Sequence, residues 1–159
     1  MELDQQKLDA ICNIHERLPY RWKIVLDTNC LLQVIFPKAY HKEVWDAFLQ
    51  RKYTLCYTNE ILLEYREIIA RRFGDAQFAE DVVELLLMMP NTERISPSYH
   101  FNLITSDPDD NKFVDCAIVA GATFIVSNDH HFNEVRQYSF PKVEIKTLTE
   151  FLHIVRTVR

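Results

Sequence analysis

The chain has 159 residues, 48% hydrophobic and 26% charged, with a net charge of −5. That is one domain by size, able to bury roughly two-thirds of its unfolded surface, and too apolar to be disordered. The acidic balance argues against holding duplex nucleic acid by bulk electrostatics alone, and no apolar run approaches the roughly 18 residues that span a membrane.

Residues 3–18 are expected to be a helix, with Leu8, Ile11 and Leu18 at helical spacing and Pro19 stopping it. The preceding Met1–Gln6 lacks a basic region followed by an apolar one, so no secretory leader is expected. Ile24–Asp27 has the continuous apolar character of a strand buried on both faces, and Thr28 or Asn29 can cap the helix after it. A second helix is expected over Ala39–Gln50, with Val44, Trp45, Phe48 and Leu49 on its apolar face. Tyr53–Tyr57 is the next strand. Thr58 then caps a helix running to about Phe73, where Gly74 is placed to end it.

Asp75 opens another helix, to about Met89, which Pro90 terminates. A short extended piece near Glu93–Ile95 leads into a polar loop, Ser96–Pro108, and Asp109 or Asp110 starts a helix that runs through Ala120 to Gly121. Thr123–Val126 and Val143–Ile145 are the last strands, followed by a helix over Leu148–Val155. Strands alternating with helices imply an α/β fold, with a parallel sheet, right-handed crossovers and helices on both faces. The expected division is a helical extension at 1–20 and one domain at 21–159. Cys12, Cys30, Cys56 and Cys116 are scattered and form no Cys-x-x-Cys pair. They suit reduced residues of a cytoplasmic protein and argue against a zinc site.

Acidic residues recur where an apolar strand ends or a helix begins. Asp27 follows Ile24-Val25-Leu26, Glu64 lies two turns past Thr58, Asp107, Asp109 and Asp110 precede a helix, and Asp129 follows Ile125-Val126-Ser127-Asn128. Ligands of open α/β sheets sit at the carboxyl ends of the strands. Carboxylates that converge there repel one another unless a cation lies among them. The pattern therefore predicts a site for a hard metal ion. Bland readings compete at each position: Asp27 as a helix N-cap, Glu60 and Glu67 as a solvated stripe, Asp109 and Asp110 as helix-dipole partners. Asp115, set among Phe113, Val114, Cys116 and Ala117, needs a metal or a cationic partner to avoid an uncompensated buried charge. His130 and His131 read as loop residues, since oxygen-rich sites seldom recruit imidazole.

In order, Ile24-Val25-Leu26-Asp27-Thr28-Asn29, Glu64, Asp110 to Ala117, and Gly121-Ala122-Thr123-Phe124-Ile125-Val126-Ser127-Asn128-Asp129 resemble the PIN domain. The resemblance spans about residues 23–150 and is greatest to the branch assigned as toxins of bacterial toxin–antitoxin modules. It implies a three-layer PIN-like domain and a ribonuclease dependent on Mg²⁺ or Mn²⁺. Asp27, Glu64, Asp110 and Asp129 match the family's acidic quartet, Asp115 a further acidic position, and Ser127 the hydroxyl two before the last Asp. Asn29 is a supporting candidate. The acidic triplet at 107, 109 and 110 leaves Asp109 and Asp110 both open as the third carboxylate.

Mg²⁺ takes near-octahedral oxygen coordination from carboxylates, waters and substrate phosphate. Such chemistry needs no side-chain nucleophile, in keeping with the lack of a Ser-His-Asp or Cys-His arrangement here. Lys38, Lys42, Arg66, Lys112 and Arg136 are candidates to hold RNA phosphates, and Tyr40 or Tyr65 to stack on bases. The expected partners are an RNA substrate, an antitoxin protein and a second copy of the chain, with no membrane. Two other classes fit the acidic cleft. One is a non-catalytic PIN-like module that takes up a partner's Arg or Lys. The other is a metal-dependent phosphatase-like enzyme, which Asn29 weakens by breaking an Asp-x-Asp pair after the first strand.

Overall fold

The computed structural model describes residues 22–157, and these build a five-stranded, all-parallel sheet with helices over it. The strands are β1 (Lys23–Leu26), β2 (Thr54–Tyr57), β3 (Thr92–Arg94), β4 (Phe124–Val126) and β5 (Ile145–Lys146), in spatial order β3-β2-β1-β4-β5. The helices are α1 (Thr28–Ile35), α2 (Lys42–Leu49), α3 (Asn59–Phe73), α4 (Ala76–Met88), α5 (Asn111–Ala120) and α6 (Leu148–Thr157). Two 3₁₀ segments, Pro108–Asp110 and His130–Gln137, complete the described residues. The α/β fold expected from the sequence, a parallel sheet with helices on both faces, is the fold observed. The expected helix at 3–18, and with it the extension at 1–20, lies outside the described residues.

Ile24, Val25 and Leu26 are consecutive and all buried, which requires cover on both faces of the sheet. The connections β1 to β2 to β3 step one way across the sheet, and β3 to β4 steps back past them. Right-handed crossovers then lay α1–α4 over one face and α5 over the other. In keeping with this, α5 packs on β1, β2 and β4, while α6 returns to pack against α2. An aromatic chain fills the space between them: Phe48 to Tyr53 (ring centroids 5.9 Å apart), Tyr53 to Phe151 (5.2 Å) and Phe151 to Phe124 (6.2 Å). Edge and tilted contacts of this kind suit the ring quadrupoles. The buried Tyr53 hydroxyl donates to the Val44 carbonyl at 2.9 Å, so its polar end is satisfied.

The helix ends follow from local chemistry. The Thr58 hydroxyl accepts from the Ile61 N–H at 3.1 Å to start α3, and Gly74, at φ 65°, ends it in the left-handed conformation that glycine adopts without a Cβ penalty. Asp75 accepts from the Phe78 N–H at 2.9 Å and starts α4 at once, so α3 and α4 form a tight hairpin. Several boundaries differ from those expected. Turns through Pro37–His41 delay α2 to Lys42. Pro108–Asp110 forms a 3₁₀ turn before α5 begins at Asn111, because the Asp107 carboxylate accepts from the Asp109 N–H and tightens the entry. The last strand is Ile145–Lys146 rather than Val143–Ile145, as only those residues reach the β4 ladder.

The strand order reverses between β1 and β4, where Leu26 pairs with Val126. Asp27 and Ser127 therefore leave the sheet side by side at its carboxyl edge, at the topological switch point where open α/β sheets bind ligands.

Candidate metal centre

Asp27 is only 6% exposed. Its backbone N–H donates to the Val126 carbonyl at 3.0 Å, and its Oδ2 accepts from the Ser127 hydroxyl at 2.8 Å. Although it occupies the N-cap position of α1, its side chain makes no capping hydrogen bond, and the Asn29 N–H is only near enough to lower its pKa a little. The cap reading of Asp27 therefore lacks its defining bond. Burial raises the Asp27 pKa above the ordinary carboxylate value, the Ser127 hydrogen bond opposes that, and the charges of Asp129 and Glu64 add to it.

The same Ser127 oxygen accepts from the Asp129 N–H at 3.0 Å, so one hydroxyl orders two carboxylate-bearing residues. Asp129 in turn accepts from the His131 N–H at 2.9 Å and caps the 3₁₀ segment that follows.

Glu64 is delivered from α3. The buried Tyr65 hydroxyl donates to the Leu26 carbonyl and pins that turn of α3 beside the end of β1. Glu64 Oε1 accepts from the Thr28 hydroxyl, and its Oε2 stands 2.5 Å from the Lys112 ammonium. Lys112 is almost wholly buried and also lies 2.6 Å from Asp109 Oδ2. Burial pulls its pKa down, but the hydrogen bonds it donates to Asp109 and Glu64 outweigh this and the net shift is upward.

Asp110 faces inward where Asp109 faces Lys112 and solvent, with side chains 15% and 75% exposed. The Asp110 pKa is raised to about 6, first by burial, then by the charges of Asp107, Asp27 and Asp129, with His131 opposing. Its Oδ2 is buried and finds no hydrogen-bond partner among the described residues; nor does His131 Nδ1, 3.5 Å away. Asp27 feels the charges of Asp129 and Glu64, and Asp110 those of Asp107, Asp27 and Asp129, so the four carboxylates lie near one another and Asp110 rather than Asp109 faces them. Among the described residues the ligand atoms that approach within 4.8 Å of one another are those of Asp107, Asp110 and His131 and those of Asp129, His130 and His131; Asp27 and Glu64 stand outside both sets. An unsatisfied buried carboxylate oxygen among like charges is what a bound cation would relieve, so the donor set fits a divalent metal.

Other expected residues lie elsewhere. Asp115 does not face this cluster: its Oδ1 accepts from the Phe101 N–H at 2.9 Å and its Oδ2 lies 2.9 Å from His100 Nδ1, which ties the 96–108 loop to α5. Asn29 lines an open cavity of about 420 Å³ together with Asp27, Gln33, Arg72, Asn128 and Asp129. Arg72 was not among the basic residues singled out from the sequence. Of those that were, Lys42 pairs with Asp46 at 2.7 Å, Arg66 with Glu80 at 3.6 Å, and Arg136 reaches the Ile145 carbonyl at 3.4 Å. Lys38 is exposed. Tyr65 is fully buried in its structural role, whereas Tyr40 is exposed, its ring edge-on to His41 at 4.9 Å. His131, read from the sequence as a loop residue, stands inside the cluster, and its position two residues past a strand-end Asp was the only local signal.

The PIN-domain family model matches residues 23–131, well over half the chain. This chain belongs to the PIN-domain family. The match starts at the first residue of β1 and ends at His131, so it contains the whole acidic cluster. No curated protein matches the chain. Among solved structures it is similar to VapBC2 from Rickettsia felis, bound to a DNA fragment from its promoter, at TM-score 0.55 and 17% identity, over 79% of this chain and 98% of that one. At that identity the likeness concerns the fold of this PIN domain, all of whose strands are parallel. No helix among the described residues is long and apolar enough to cross a membrane.

Proposed function

We propose that this PIN-domain protein is a Mg²⁺- or Mn²⁺-dependent endoribonuclease and the toxin of a toxin–antitoxin pair, acting in the cytoplasm. The observation that carries the nuclease reading is the set of carboxylates of Asp27, Glu64, Asp110 and Asp129 at the switch point, with Asp110 Oδ2 buried and unsatisfied. These four residues would hold the ion. The toxin reading rests on the resemblance of the motifs to the toxin branch, together with the fold shared with VapBC2.

A divalent ion bound there supplies Lewis-acid polarisation of a phosphodiester and a lowered pKa for water. The chain's own residues have separate tasks. Ser127 fixes the Asp27 carboxylate and the Asp129 backbone in one arrangement, so that neither must be ordered when substrate arrives. Thr28 and Lys112 hold Glu64 from two sides, one through each carboxylate oxygen. Lys112 also offsets part of the negative charge that would repel an RNA phosphate. Arg72, in the 420 Å³ cavity beside Asp27 and Asp129, is placed to pair with a backbone phosphate, and the exposed Tyr40 to stack on a base.

Incubation of the purified chain with single-stranded RNA and Mg²⁺ or Mn²⁺, against a chelator control, tests the activity. Cleavage that needs the ion supports the reading. Hydrolysis of small phosphoesters in place of RNA would favour the phosphatase-like alternative. Neither reaction, together with tight binding of a partner polypeptide, would favour a binding module.

A further inference from the structure

We propose that His131 adds an imidazole nitrogen to the metal centre, making it a mixed nitrogen–oxygen site that favours Mn²⁺ over Mg²⁺. The inference rests on the metal-centre reading above and concerns a residue outside the acidic quartet.

The ring is placed by its own backbone. The His131 N–H donates to Asp129 Oδ1 at 2.9 Å, which starts the 3₁₀ segment His130–Gln137 and turns the imidazole toward the carboxylates. Nδ1 then lies 3.1 Å from Asp129 Oδ1, 3.5 Å from Asp110 Oδ2 and 3.9 Å from Asp107 Oδ2. A plain histidine–aspartate hydrogen bond is the competing explanation, and the geometry does not supply one. Nδ1 is buried and makes no hydrogen bond among the described residues, although Asp129 is close. The 3.5 Å separation from Asp110 Oδ2 is too long for an N–H···O bond. Two buried polar atoms thus face each other with no hydrogen bond made to either. Ligand atoms of Asp107, Asp110 and His131 all lie within 4.8 Å of one another, close enough to share one ion.

An imidazole donor changes which ion is preferred. Mg²⁺ keeps hard oxygen ligands and several waters, whereas first-row transition ions accept nitrogen readily. His130 provides the contrast. Its ring is 83% exposed, with Nδ1 3.6 Å from Asp129 Oδ1; a nitrogen of His130 also lies within 4.8 Å of ligand atoms of Asp129 and His131, so exposure rather than distance separates the two histidines.

Pulsed electron paramagnetic resonance of the full chain loaded with Mn²⁺ tests the inference without measuring activity. The wild type should show ¹⁴N modulation that shifts on ¹⁵N-histidine labelling. H131Q should lose it and H130Q should keep it. Titration calorimetry should show the Mn²⁺ dissociation constant rising about 10- to 100-fold in H131Q, with Mg²⁺ affinity changing by no more than about threefold. Bound Mn²⁺ without nitrogen coupling in the wild type overturns the role of His131 and leaves the carboxylate centre standing, a result that does not depend on any variant folding. Coupling that survives in H131Q, or vanishes in H130Q, also overturns it. Failure of the wild type to bind either ion overturns the metal-centre reading itself.

Discussion

Two aspartates of this chain are buried almost equally, and they are held in opposite ways. Asp115 is 2% exposed and Asp27 6%. Asp115 has both oxygens engaged, one by the Phe101 N–H and one by His100 Nδ1, and its neighbours are a loop and a helix it fastens together. Asp27 receives one hydroxyl hydrogen bond and faces Asp129, Glu64 and Asp110. A carboxylate in apolar surroundings is therefore no sign of a metal by itself, since donors from the backbone can satisfy it. What marks the Asp27 region is like charge gathered with too few donors.

Conservative substitutions should separate the two regions. Asp27→Asn should lower metal-dependent RNA cleavage by at least about 100-fold, with the circular-dichroism spectrum unchanged and thermal stability equal or higher, because one repelling charge is gone. Cleavage at the wild-type rate would remove Asp27 from the centre. Asp115→Ala should do the reverse. It strands the Phe101 N–H and should cost about 1–3 kcal/mol of stability, read by denaturant unfolding, while the folded variant keeps its affinity for Mn²⁺. A large loss of that affinity would return Asp115 to the site.

The sequence made the sheet and half of the acidic cluster legible for a simple reason. In a parallel sheet the residue after an apolar strand must emerge at the carboxyl edge, so Asp27, Ser127 and Asp129 could be placed without knowing any contact. Thr58 and Gly74 likewise bracketed α3 by local chemistry alone. The rest depends on what comes near from far along the chain. Lys112, expected as a surface charge for RNA, is buried because α5 brings it against Glu64 of α3. Asp115, expected to need a cation, is satisfied by a loop whose path no periodicity records. His131 joins the cluster only because Asp129 caps a 3₁₀ turn that the His130-His131-Phe132-Asn133 run does not advertise.

Asp110 gives the comparison a pH axis. Its folded-state pKa, about 6, lies above the ordinary value of 3.8. A raised carboxyl pKa favours the folded state when the group is protonated, so this contribution is complete below the ordinary value and is lost as pH rises through about 6. A metal must displace the same proton. The affinity for Mn²⁺ should therefore climb as pH rises through that range, and calorimetry at several pH values would show it. Asp110→Asn should flatten the pH dependence of metal-free stability and raise the melting temperature near pH 7 by a few degrees, about 2–4 °C for each kcal/mol of repulsion relieved. A melting temperature that falls would mean that Asp110 stabilises the metal-free fold.

Ser127→Ala should have a smaller effect, since it removes one oxygen that orders two residues while leaving all four carboxylates in place. The loss of a buried hydrogen bond to a charged group should cost about 1.5–3 kcal/mol, and metal affinity should fall about 10-fold, as for the orienting partners of other ligands. Ser127→Thr keeps the hydroxyl and should recover most of that affinity. If Ala and Thr behaved alike, the hydroxyl would be a packing feature and not a positioning one.

The smallest effect is expected at the other pole of the comparison. The His100 side chain is 75% exposed where it meets Asp115, so solvent screens the pair and can replace the lost donor. The Phe101 N–H still holds Asp115 Oδ1 in the variant, which leaves the loop fastened by its stronger tie. His100→Ala should therefore change stability by about 0.5 kcal/mol or less, and should leave Mn²⁺ affinity and RNA cleavage as they were. Denaturant unfolding beside Asp115→Ala would show the ranking directly. A His100→Ala cost as large as that of Asp115→Ala would mean that the backbone bond alone does not hold the loop, and that Asp115 is a charge in need of a cation after all.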